Sequence, residues 1–302
     1  MKRLLAIFGI LACALLARSA PAQILYAAIG DDSGNGLYTV DPATAASTLV
    51  GPIAVGATQI GVTGLAIHPQ TGVIYGVTTE NPPRLVTIDP TTGNAAAVGF
   101  LGSFPVPDIT FAADGTLYGW QKGVGAGIVT PPANASGRTA LANPPGGLVT
   151  IDLTTGAASF VGTPSAVPQQ GCGLTSLDGV LYLSLQLANG PLLTVNPVTG
   201  ATAAGPTMNG PGAPIAALAS SPSSVLYGAT NNGALLTIDP LTGAVTNIGS
   251  LPSGTDALVF TNSALGGPGG AGAANVPSVG RIGLLALGAA LALAGTLLIR
   301  FR

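Results

Sequence analysis

The chain writes one unit five times: LYTVDPATAASTLVG at 37–51, LVTIDPTTGNAAAVG at 85–99, LVTIDLTTGAASFVG at 148–162, LLTVNPVTGATAAGP at 192–206 and LLTIDPLTGAVTNIG at 235–249. Each copy is an apolar run, an Asp-Pro-x-Thr-Gly turn or a variant of it, and a second apolar run, which reads as two strands joined tightly. Ahead of each copy lies another short apolar run holding a tyrosine: Tyr26, Tyr75, Tyr118, Tyr182 and Tyr227. Five of the six tyrosines occupy this one slot, so the slot is a repeated structural position rather than an accident of composition.

A further strand-like run precedes the last four tyrosine runs, at 62–69, 107–114, 172–178 and 215–222, with Asp114-Gly115 and Asp178-Gly179 as hairpin dipeptides. Its fifth copy is missing ahead of Tyr26 and occurs instead at the far end, as TDALVF at 255–260. The repeat is therefore four strands: a first, a second with tyrosine, a third entering the Asp-Pro turn and a fourth leaving it. The run of repeats starts on a second strand and ends on a first. A linear solenoid has no reason to split a repeat in this way, whereas a ring uses it to close and to remove its open edges. The expected fold is all-β: a five-bladed β-propeller over 23–262, closed by pairing the C-terminal strand with the N-terminal blade. The 45 glycines and 25 prolines, which in an aperiodic chain would argue for disorder, then serve as turns.

Within the repeated turn, Asp41, Asp89, Asp152 and Asp239, with Asn196 in the fourth copy, are expected to accept local backbone amides. That role suffices for them, and a ring of metal-binding carboxylates is not expected. Asp31-x-Ser33-x-Asn35-Gly36 looks like the start of a calcium loop, but Pro42 stands where the bidentate Glu belongs, so a polar hairpin is the reading.

In a propeller the second-to-third-strand loops and the blade crossings share one face. Here that set varies, with 120–147 the longest, while the first-to-second and third-to-fourth turns are short and uniform. Arg84, Lys122 and Arg138, all the basic residues between 23 and 262, fall on the variable face, as does Trp120; Asp108, Cys172 and Asp256 begin first strands and should rim the channel there. Variable loops on a rigid frame are where ligands bind. The candidate ligand-binding residues are thus Trp120, Lys122, Arg138, Arg84, Asp108 and Asp256.

The two ends read as addresses. Residues 1–22 form a secretory signal peptide: Lys2 and Arg3, a continuous apolar run, then Ala20-Pro21-Ala22 before a cut at Gln23. Residues 263–280 are a Gly/Ala-rich linker. Residues 282–299 carry no charge and as a helix would span roughly 27 Å, close to a bilayer core, so a transmembrane helix is expected within 281–302. Arg300 and Arg302 place its end in the cytoplasm and the propeller outside.

Val276-Pro277-Ser278-Val279, the apolar segment and the closing arginines together resemble the C-terminal sorting signals of Gram-negative bacteria that open with Ile-Pro-Thr-Leu, and more loosely the Pro-Glu-Pro type recognised by exosortases. Val and Ser replace Ile and Thr, and no acidic-aromatic pair precedes the helix. The resemblance implies an exported bacterial protein of the cell envelope or surface, with a sorting peptidase as one partner. A plain membrane anchor is the alternative.

Chemistry is sparse. Between 23 and 262 there are 11 acidic and three basic residues, a balance that argues against nucleic-acid binding. His68, the only histidine, belongs to a uniform-face turn, far from Cys172, so no nucleophile–base pair is formed. No cofactor motif or zinc spacing occurs. The expected function is a binding or structural module with envelope polysaccharide or protein as partner and no catalytic residue; the alternative is a hydrolase or lyase using Asp108 and Asp256.

Overall fold

In a computed structural model, which describes residues 23–30, 36–102, 105–122, 146–163, 171–210 and 212–261, all helix and strand assignments are to strands. The strands form five antiparallel sheets around one axis. Blade 1 runs Thr255–Phe260, Leu25–Ile29, Gly36–Val40, Ser47–Pro52 from the axis outward. Blade 2 is Val62–Ile67, Ile74–Thr78, Arg84–Ile88, Asn94–Phe100; blade 3 is Ile109–Phe111, Leu117–Gln121, Gly147–Ile151, Ala158–Phe160. Blade 4 is Gly171–Leu177, Val180–Leu185, Pro191–Val195, Thr202–Thr207, and blade 5 is Ile215–Ser220, Leu226–Thr230, Ala234–Ile238, Val245–Ser250. A two-residue strand, Ala54–Val55, adds to the outside of blade 2 with Ala54 opposite Asn94.

The expected five-bladed ring is therefore present, and it closes as the displaced repeat requires. Leu25 pairs with Phe260, Tyr26 with Val259 and Ala27 with Leu258. At one end of this pair Thr261 N donates to Ile24 O (2.9 Å) and Ile24 N donates to Thr261 Oγ1 (3.0 Å). At the other, Gly30 N donates to Gly254 O (3.0 Å).

The apolar core is divided among the blade seams. Five clusters of buried side chains each span two neighbouring blades, and each repeated tyrosine packs into the cluster shared with the following blade. Tyr75 meets Phe111 of blade 3 edge-on at 5.6 Å, and Tyr227 meets Phe260 of blade 1 at 4.9 Å. The repeated slot thus has a cause: a seam position wide enough for an aromatic ring, half-buried at Tyr75, Tyr118, Tyr182 and Tyr227 and fully buried at Tyr26. Burial raises the phenols of Tyr26, Tyr118 and Tyr227 above their ordinary value.

The repeated turn behaves as its residues dictate. Asp89 Oδ1 accepts Thr91 N at 2.7 Å, Asp152 Oδ1 accepts Thr154 N at 2.8 Å, Asn196 Oδ1 accepts Val198 N at 2.8 Å, and Asp41 and Asp239 do likewise. Hydrogen bonds from Thr91, Thr155 and Thr242 hold Asp89, Asp152 and Asp239 below the ordinary carboxylate range.

The glycine that closes the repeated unit has a separate cause. A Cβ on Gly99 would run into the carbonyl oxygen of Thr155 in the next blade's turn; Gly51 faces Thr92 O and Gly162 faces Thr199 O in the same way, and at Gly249 the gap to Thr44 O would be 2.8 Å. Each turn is docked against the fourth strand of the preceding blade, backbone to backbone. The turn position filled by Gly93, Gly156, Gly200 and Gly243 at positive φ is Ala45 in blade 1, at φ 62°. Its methyl faces Gly249, where no side chain competes.

The described residues all belong to one compact unit, Met1–Pro268. The signal peptide, Asp31–Asn35, Arg138, the linker, the sorting motif and the second unit, Gly269–Arg302, which includes the expected transmembrane helix, lie outside them. Among the described residues no helix is long and apolar enough to cross a membrane.

The seam predicts a steric effect with no change of charge or φ class. Gly99→Ala should lower stability by about 1–3 kcal/mol through overpacking against Thr155, read as a fall in the thermal midpoint; an unchanged midpoint would mean the seam yields freely.

Candidate functional site

The first strands line the axis, and their amides face one another near the variable face. Asp108 supplies the acceptor they need. Its Oδ1 accepts Ile109 N (2.9 Å) and its Oδ2 accepts Leu174 N (2.9 Å) and Leu218 N (3.4 Å), with the amide of Leu65 also contributing. These residues belong to blades 2, 3, 4 and 5, so one carboxyl group ties four of the five blades together. Gly64 makes room for it: a Cβ there would stand 2.8 Å from Asp108 Cα and 3.1 Å from its Oδ1. Asp108 is 0% exposed, and burial pushes its carboxyl well above the ordinary range against the opposing pull of the four amides.

Asp108 therefore does not rim the channel as the sequence reading has it. It is a buried hub, with both oxygens engaged by backbone. Trp120 also differs from expectation. Although its strand ends at the variable face, its indole is 1% exposed and packs with Leu148, Leu174 and Leu181 between blades 3 and 4.

Four other groups do lie toward the variable face. Lys122 Nζ donates to Gln186 Oε1 at 2.6 Å, bridging blades 3 and 4. Beneath it the Cys172 thiol is buried, and burial raises it to about 11; the Lys122 ammonium pulls the other way, while the Asp108 and Asp256 carboxylates add to the rise. Asp256 is half-buried, close to Gly30: a Cβ on that glycine would strike its Oδ2. Arg84 lies farther out, with its Nε 3.0 Å from Glu80 Oε2 and its guanidinium 5.0 Å from the Phe100 ring centre. The Arg84–Glu80 contact is a close charge pair without the alignment of a hydrogen bond. The Thr78 hydroxyl ties this corner down, donating to Glu80 Oε2 (3.3 Å) and accepting Arg84 N (3.0 Å).

Of these residues Lys122, Glu80 and Thr78 line a pocket of about 470 Å³ between blades 2 and 3, with Pro105, Val106 and Pro107 in its walls; Arg84, Cys172 and Asp256 do not line it. A second cavity of about 320 Å³ follows the axis and opens among the uniform first-to-second turns, where Thr110, Thr175, Ser176, Asp178 and Ser220 join apolar first-strand residues in the lining. The sequence reading did not place a cavity on this face. Its signal was the hydroxyl residues within otherwise apolar first strands.

His68 fills the turn role expected of it. Its Nδ1 accepts Gln70 N (3.2 Å) and Thr71 N (3.3 Å), and its ring packs 4.9 Å from Phe111. Among the described residues no three His, Cys, Asp or Glu side chains stand together as a metal-binding group.

Two outcomes follow from this geometry. Asp108→Ala orphans several buried amides at about 1–3 kcal/mol each, so a large loss of stability is expected in denaturant melts; a loss below ~1 kcal/mol would remove Asp108 from the hub role. Asp108 has a raised folded value, so its contribution is complete below the unfolded value of 3.8 and declines as pH rises through the folded one. The advantage of the wild type over Asp108→Asn should narrow with rising pH. Separately, Cys172 should react with a thiol reagent at pH ~8 on the order of a hundredfold more slowly than an ordinary thiol, and at the ordinary rate once the chain is unfolded.

Residues 111–286 match the family described as a repeat of unknown function, DUF6923. The match covers more than half of the chain, which belongs to this family. No curated protein matches the chain. Among solved structures it is similar to a chain of a nidogen/laminin complex, at 10% identity and a TM-score of 0.51, covering 80% of this chain and 99% of that one. It is also similar to a gluconolactonase from Xanthomonas campestris (14% identity, TM-score 0.47, 79% of this chain and 80% of that one) and to a glutaminyl cyclase from Myxococcus xanthus (18%, 0.42, 68% and 72%). At these identities the likeness concerns the fold alone.

Proposed function

We propose that this member of the DUF6923 repeat family is an exported propeller, held at the cell envelope by its C-terminal segment, that binds an envelope polysaccharide or protein through its variable face. One contrast supports a binding role over catalysis. The Asp108 carboxyl, one of the two acids that a hydrolase or lyase reading relies on beside Asp256, already accepts amides with both oxygens and has no exposed surface. The variable face, by comparison, carries a pocket of about 470 Å³, within the common range for small-ligand sites of roughly 300–1,000 Å³. The signal-peptide and anchor patterns expected from the sequence, with the sorting-signal resemblance, support a site outside the cytoplasm.

The immobilised full-length chain in detergent should retain polysaccharide or protein from an envelope fraction. Pro105→Trp, at an exposed residue lining the pocket, should reduce that retention with the fold intact by circular dichroism. Retention of neither class by folded protein would refute the reading, as would retention indifferent to Pro105→Trp.

A further inference from the structure

Resting on the proposal that the variable face binds, we infer that the pocket between blades 2 and 3 takes an acidic sugar residue of a glycan, with Lys122 holding the sugar carboxylate. Three features of the pocket define this chemistry.

Charge comes first. Two ionised side chains line the pocket, Glu80 and Lys122. Glu80 is matched by Arg84 at 3.0 Å and further held by the Thr78 hydroxyl. Lys122 bonds a neutral amide oxygen, that of Gln186, which orients the ammonium without cancelling its charge. Among the described residues Lys122 is thus the ionised group of the pocket lining that makes no salt bridge, and it is a half-buried side chain where a carboxylate gains a charge-assisted hydrogen bond. The Gln186 bond also fixes the ammonium in advance, so less freedom is lost when an anion arrives.

The walls come second. Pro105 and Pro107, exposed and half-buried, are rigid, uncharged and without backbone donors, and they offer C–H surface to the pocket. The hydroxyls of Thr63 and Thr79 stand beside them, each able to donate and to accept. A pyranose ring has the matching pattern, an apolar C–H face edged by hydroxyls. A fatty chain would leave the hydroxyls and the ammonium unmatched, and a free inorganic anion would leave the proline walls unused.

The site's frame comes third. Thr79 N donates to Gly61 O at 3.0 Å and Lys122 N donates to Pro105 O at 3.0 Å, so the backbone on both sides is tied to the blade crossings. The pocket's described walls are thus held in place on both sides of a blade seam.

The test uses the full-length chain in detergent and three probes: trigalacturonate, its methyl ester and maltotriose, by calorimetry. Trigalacturonate should bind, the ester should bind at least about tenfold more weakly, and maltotriose weakest. Lys122→Met should weaken trigalacturonate by a similar factor with the thermal midpoint unchanged, and Lys122→Arg should retain most of the affinity. Rising salt should weaken the acid and leave the ester unaffected. Equal binding of acid and ester, or no effect of Lys122→Met, overturns this inference. So does failure of trigalacturonate to bind. In that case retention from the envelope fraction, blocked by Pro105→Trp, would still stand for the broader reading; loss of both would remove both.

Discussion

A single carboxyl group at the axis organises this ring. Five first strands converge with their amides turned inward, where no sheet partner exists for them. Unpaired, those donors would each cost free energy in a space without bulk water. Asp108 answers four of them at once, through Ile109, Leu174, Leu218 and Leu65. Because the bonds reach across blades, they fix the blades' mutual orientation at small radius. Burial raises the Asp108 carboxyl well above the ordinary range, and the amides it accepts offset that cost only in part. Stability at the centre therefore depends on hydrogen bonds being made rather than on charge being neutralised.

At larger radius the blades are joined by different means. Apolar clusters straddle each seam, with the repeated tyrosines reaching toward the following blade. Farther out, each Asp-Pro turn rests on the preceding fourth strand, close enough that most of the facing positions tolerate only glycine. Three layers of contact, polar at the axis, apolar at mid-blade and backbone-to-backbone outside, hold a chain in which only 7% of residues are charged. Ion pairs play a small part; the Arg84–Glu80 pair is exposed enough to be worth little.

Much of this was legible in the sequence because repetition exposes position. The tyrosine slot, the turn aspartates and the displaced first strand, 255–260, led to five blades and to the mode of closure. The hub was not legible. Asp108 meets Leu174 and Leu218 from 66 and 110 residues away, and nothing local marks a residue that serves amides so distant. As the acid opening one first strand, it resembled Asp256, which stays half-buried. The burial of Trp120 was legible and overlooked. It stands two residues after Tyr118 on one strand, so both side chains leave the same side of the sheet and enter the same cluster. The closing glycine of the repeat was visible but not interpretable, since its cause is a carbonyl in the next blade. Lys122 was picked out by charge; its neutral partner Gln186 required the structure.

The strand that closes the ring also sets how the ring bears force. Strand 255–260 lies antiparallel to 25–29, clasped by Ile24 and Thr261 at one end and by Gly30 and Gly254 at the other. The Gly30 end adjoins Gly61 and Thr79, beside the variable-face pocket, and the described chain leaves at Thr261. A pull between that face and Thr261 acts along the strand axis, so the rungs of the ladder are sheared together and share the load. A pull that separates Ile24 from Thr261 acts across the axis and opens the ladder one rung at a time. The closing ladder is thus anisotropic, resistant to shear along its strands and easily unzipped when Ile24 and Thr261 are drawn apart.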